Sequence, residues 1–147
     1  MGRPNTLIGA GAIFALTWLI HTADHVRRGL ADTADGVTFA GTLAAMLIAV
    51  CLTLIATGHR AAAASAAVVG PTVAFGVAAA HLLPPWGYFS ESLLFDSTAD
   101  RWALLAVIPE IVAALWLGWV GWRELAANNY QIAPANSARA GATGTGT

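Results

Sequence analysis

The sequence predicts an all-α integral membrane protein, a bundle of four transmembrane helices with both termini in the cytoplasm. Three observations carry that prediction. Four apolar runs, charged only at Glu110, are each long enough to cross a bilayer, charge is too sparse to coat a soluble surface, and arginine, tryptophan and acidic residues distribute unequally between two sides. Of 147 residues, 57% are hydrophobic and 10% charged, with a mean hydropathy of +0.65, well above the balance of a soluble domain. Seven basic and eight acidic residues cannot cover a water-facing surface around a core of this size. The net charge of −1 offers no basic stripe to neutralise phosphates, which excludes nucleic acid as a partner. The lone cysteine, Cys51 in MLIAVCLTLI, has no disulfide or CxxC partner and reads as a small packed hydrophobe.

Residues 1–5 form a short cytoplasmic N-terminus, and residues 6–132 the transmembrane domain. Crossing about 30 Å of hydrocarbon takes about 20 apolar residues in a helix. The first span runs over residues 6–23. Its basic start and apolar run also fit a cleaved signal, but the following HTADH offers no small-x-small cleavage site, so the segment is retained as a helix. The second span is VTFAGTLAAMLIAVCLTLIATG, 37–58; the third, AAAASAAVVGPTVAFGVAAAHLL, is 61–83; the fourth, WALLAVIPEIVAALWLGWVGW, is 102–122. Stop signals follow each: Gly29, Gly58-His59-Arg60, Pro84-Pro85 and Arg123-Glu124. The tail 133–147, APANSARAGATGTGT, is small and polar and is expected to be disordered.

Orientation follows from arginine in short loops, which stays cytoplasmic. With the N-terminus inside, Arg3, Arg60, Arg123 and Arg139 are cytoplasmic against Arg27, Arg28 and Arg101 outside. Asp24, Asp32, Asp35, Glu91, Asp96 and Asp100 then all face outward. Trp86 and Trp102 fall at the outer rim, and Trp116, Trp119 and Trp122 toward the inner one. Small residues at four-residue spacing, Ala62, Ala66 and Gly70 on the third span and Gly41 and Ala45 on the second, predict close helix packing. Pro71 and Pro109 lie inside their spans, where each removes an amide and kinks the helix.

Ionisable groups within spans are expensive and face the bundle interior. Here they are His21, Asp24, His25, His81 and Glu110. His21 and His25 stand one turn apart on one face, with Asp24 on an adjacent stripe. Spans one and three run in the same direction, so His21, His25 and His81 all approach the outer boundary. Glu110 lies about 12 Å below Trp102 on the returning helix, deeper than the histidines, and tilt or the Pro109 kink must close the gap. Imidazole suits zinc, copper and iron, and this set supplies His21, His25, His81 and a carboxylate, Glu110 or Asp24, as metal ligands. Asp24 can equally serve as a group orienting an imidazole. In a haem version, a histidine of span one (His21) and His81 of span three are the axial ligands. HxxxH is a permissive pattern, and without HExxH it is no metalloprotease signature. The bland alternative has Asp24 pairing with Arg28 at i, i+4 and His81 bonding a neighbouring helix. Glu110 resists that alternative, because a carboxylate so deep needs a partner.

Other chemistries have less support: Ser65 has no neighbouring histidine for a nucleophile, and Gly9-Ala10-Gly11 lacks the phosphate-loop lysine. The outer connector PPWGYFSESLLFDSTADR, 84–101, is long and aromatic; it reads as an interfacial anchor first and a lid over the histidines second. The expected setting is the plasma membrane as a multi-pass protein, with the lipid bilayer as partner and assembly into a homo-oligomer or larger membrane complex. Three functional classes follow. The leading one is a metal- or haem-binding protein in redox or metal handling; the others are a proton-coupled transporter acting as an oligomer and a non-catalytic assembly subunit.

Overall fold

A computed structural model describes residues 5–29, 33–95 and 100–142, with side chains for residues 6–29, 33–95 and 100–127. The described residues are all-α. They form helices α1 (Asn5–Arg28), α2 (Asp35–Thr57), α3 (Ala62–His81) and α4 (Leu104–Ala142), the last preceded by a 3-10 turn over Arg101–Ala103. Four segments are long and apolar enough to cross a membrane: Thr6–Arg28, Asp35–Thr57, Ala62–His81 and Arg101–Ala127.

The helix ends follow local chemistry. α1 does not stop at Ala23 but continues to Arg28, because Asp24 bonds Arg27 and Arg28 at i, i+3 and i, i+4 and so stabilises the polar last turns. Gly29, at φ 102°, then ends the helix in a region that side-chain-bearing residues avoid. α2 closes on Gly58, left-handed at φ 68°, with Gly58 N–H reaching Ile55 O and His59 N–H reaching Leu54 O, a glycine-terminated cap. Asp100 accepts from Trp102 N–H at 2.9 Å to start the turn into α4. α4 runs past Ala133 to Ala142, and residues 143–147 of the polar tail lie outside the described residues.

The bundle is organised around α4, which packs most extensively on α3 and next on α1. Small residues set the α3–α4 contact. Ala66 and Ala114 are fully buried, and a Cβ added at Gly70 would stand 2.6 Å from Gly118 N, one added at Gly121 2.6 Å from Ala67 N. Backbone is thus against backbone, the close approach expected of Ala62, Ala66 and Gly70. The matching small residues on the facing helix, Gly118 and Gly121, belong to the same contact. Pro71 sits against Gly118, so its ring fits only because that position carries no side chain. The stripe expected at Gly41 and Ala45 differs: Gly41 has nothing within 4 Å, because α2 meets α3 only lightly and turns this face outward.

Phe14, Ile48, Cys51 and Leu117 fill the core between the helices, all with no exposed surface. The outward faces are apolar too: Met46, Val68, Phe75 and Leu105 all stand exposed. Contiguous apolar surface of that kind suits a hydrocarbon environment rather than water.

Candidate metal centre

Three imidazoles meet at the end of the bundle where α1 and α3 finish and α4 begins. The His21 and His25 ring centroids are 4.8 Å apart, those of His21 and His81 5.1 Å, and those of His25 and His81 5.4 Å. One ring nitrogen from each lies within 4.8 Å of the other two, a grouping that can hold a metal ion. His21 and His81 are buried, at 7% and 2% exposure. His25, a turn nearer the helix end, is half-buried.

Each ring is oriented by a neighbour. The His21 Nδ1–H donates to Glu110 Oε2, and Glu110 is only 1% exposed; the carboxylate therefore fixes the tautomer that leaves Nε2 as the lone-pair nitrogen. The His81 Nδ1–H donates to the backbone carbonyl of Glu91 at 3.2 Å, which likewise frees its Nε2. The Nε2 atoms of His21 and His25 are 3.1 Å apart. Since His21 Nε2 bears a lone pair, His25 Nε2–H is the donor, and His25 Nδ1 then accepts from Arg28 Nη2 at 3.2 Å. A continuous line of hydrogen bonds thus runs Arg28, His25, His21, Glu110.

Comparison of the chain with family models, curated proteins and solved structures gives no match.

The fold thus joins His21, His25, His81 and Glu110 into one contact network. The depth gap foreseen for Glu110 closes, since its carboxylate bonds His21. His21 stands seven residues before Arg28 and Glu110 six after Leu104, about 10 and 9 Å from their helix ends, so the extension of α1 brings the two to one level. Asp24 is not brought in. Its Oδ1 accepts from Arg27 at 3.0 and 2.7 Å and its Oδ2 from Arg28 at 2.9 Å, which makes it a brace for the two arginines.

Residues beyond the sequence-derived set also border the site. The connector after α3 folds back over that helix end: Trp86 Nε1–H bonds Ala79 O, Glu91 N–H bonds Ala80 O and Leu93 N–H bonds His81 O, each at 2.8 Å. These bonds satisfy carbonyls that a helix end leaves open and set Glu91 over the histidines, where its Oε1 accepts from Arg28 Nη1. The segment covers the cluster while Trp86, Tyr88 and Phe95 face outward. The sequence signal for Glu91 was faint, an acid ten residues beyond His81 in a connector, detectable only once that connector is seen to return.

Proposed function

We propose that the chain is a four-span integral membrane protein of the plasma membrane that binds one transition metal ion through His21, His25 and His81. Both termini are cytoplasmic and the site lies in the outer half of the bilayer, as the arginine distribution favours. One observation carries this reading: three imidazoles within ligating distance of one another, two with the distal nitrogen already engaged by an acceptor. A tetrahedral ion with nitrogens at about 2.0–2.1 Å sets those nitrogens roughly 3.4 Å apart. The His21 to His25 separation of 3.1 Å is close to that, and modest ring rotation brings the third in.

Three neutral imidazoles suit zinc, copper or iron and leave a fourth position for water or an exchanging ligand. Glu110 holds the His21 ring and makes it a better donor. A single ion is favoured over haem because the rings touch one another, leaving no slot for a macrocycle between axial ligands. A redox or metal-handling role for an open three-histidine site at the outer boundary is consistent with this chemistry. The test is elemental analysis of detergent-purified protein: about one ion per chain in wild type and none in His21→Ala or His81→Ala supports the site, and metal-free wild type defeats it.

A second reading has its own observation, the hydrogen-bonded line from Arg28 to Glu110. That line is a route for a proton between a buried carboxylate and the outer end, as in a proton-coupled carrier acting as an oligomer. Proton flux into proteoliposomes that Glu110→Gln abolishes would favour it, and flux unchanged by that substitution would remove it.

A further inference from the structure

The histidine cluster leaves one group unaccounted for. Glu91 Oε2 is buried and has no hydrogen-bond partner, an expensive condition for a carboxylate oxygen. It stands 4.0 Å from His25 Nδ1. The same nitrogen is 3.2 Å from Arg28 Nη2 and 3.3 Å from Thr33 Oγ1. Three groups thus compete for one ring atom. They ask different things of it: the guanidinium only donates, the carboxylate only accepts, and the hydroxyl does either.

We propose, resting on the metal-site reading above, that Glu91 is the positioning residue that turns His25 into a ligand and that Arg28 holds it out of that role. With Arg28 donating to Nδ1, the His25 proton sits on Nε2, the nitrogen that faces His21, and no lone pair is available for an ion. Ligation through Nε2 requires the other tautomer. The proton leaves Nε2 and one is placed on Nδ1, so the ring stays neutral and no net proton is released. The new Nδ1–H needs an acceptor. Two groups beside it can accept, the neutral Thr33 hydroxyl and the buried, unpartnered Glu91 Oε2, and the carboxylate makes the stronger, charge-assisted bond. Closing the 4.0 Å gap by about 1 Å makes an ordinary hydrogen bond, and Arg28 remains on Glu91 Oε1 and Asp24 as it moves off the ring. Ion binding is therefore coupled to a short displacement of Arg28 and of the connector that carries Glu91.

The two partners of one ion pair consequently have opposite effects. In Glu91→Gln, the amide oxygen still accepts from Arg28, but the NH2 replaces Oε2 and donates to Nδ1, locking His25 in the tautomer that cannot ligate. In Arg28→Gln, the competing donor is gone. Cu2+ is titrated into the detergent-solubilised full-length chain, with affinity read by competition with a chelator and ligand nitrogens counted by electron paramagnetic resonance. Wild type gives three imidazole couplings. Glu91→Gln gives two and an affinity lower by roughly 10–100-fold, while Arg28→Gln keeps three and binds no more weakly than wild type. A role confined to closing the connector would lower affinity in both variants, and that result overturns the proposal. So does Glu91→Gln with three couplings and wild-type affinity. Wild type with no imidazole coupling fails the metal reading itself, which separates the two failures. If Glu91→Gln does not fold, Arg28→Gln decides alone: weaker binding refutes the competition and retained or tighter binding supports it.

Discussion

Glu110 is the least exposed of the described buried polar residues, which makes it the sharpest place to perturb the site. It is 1% accessible and His21 7%, and each is the other's partner. Glu110→Ala strands the His21 Nδ1–H without an acceptor, which costs about 1–3 kcal/mol, and adds the void of a removed carboxymethyl group. With that void added to the unmet donor, the total falls at about 3–5 kcal/mol. Glu110→Gln keeps both the volume and an acceptor oxygen and loses only the charge, so its cost is the difference between a charged and a neutral hydrogen bond, about 1–2 kcal/mol. Metal affinity should fall roughly 10–100-fold in both, since the His21 ring loses its carboxylate. Reversible unfolding in mixed micelles measures the first quantity and equilibrium dialysis against Zn2+ the second. If Glu110→Ala unfolds no more readily than Glu110→Gln, the carboxylate does not hold His21, and the reasoning built on that contact is wrong.

The remaining predictions concern packing, ligand linkage and pH. Gly70→Ala places a methyl group against the backbone of Ala114 and Gly118, where no side chain can rotate away, and should destabilise the bundle by about 3 kcal/mol; Gly41→Ala, with nothing within 4 Å, should leave the unfolding midpoint unchanged. An ion present at a hundredfold excess over its dissociation constant should raise wild-type stability by about 2.7 kcal/mol, and the rise should vanish in His81→Ala. The Arg27 guanidinium, then the Trp102 amide, hold the Asp100 carboxyl below its ordinary 3.8. A depressed carboxyl contributes stability above its unfolded value and loses it as pH falls through the folded one. Hydrogen exchange at the start of α4 should therefore quicken below pH 3.8 in wild type and lose that dependence in Asp100→Asn.

Much of this fold is legible in the sequence because hydrocarbon-crossing helices announce themselves by length and by absence of charge, whatever they pack against. The four apolar segments follow from that rule. Glycine and arginine punctuation located most ends, but α1 outran its apolar run because Asp24, Arg27 and Arg28 pair along the helix instead of ending it. Within the site, His21 and His25 follow from i, i+4 spacing and His81 from the parallel course of α1 and α3. Glu110 follows from depth. What spacing cannot reveal is competition for one atom, His25 Nδ1, among Glu91, Arg28 and Thr33. Only the return of the connector over α3 decides that Glu91 faces His25 while Asp24 faces the arginines. Likewise the small residues of α3 were visible, but their partners Gly118 and Gly121 depend on the rotation of α4.

The most direct test is X-ray absorption at the zinc edge of purified protein to which Zn2+ has been added, in wild type and in His25→Ala. Three imidazole nitrogens at about 2.0–2.1 Å are expected in wild type, one fewer in the variant. A first shell of oxygens or sulfur, or a shell unchanged by losing His25, would contradict it.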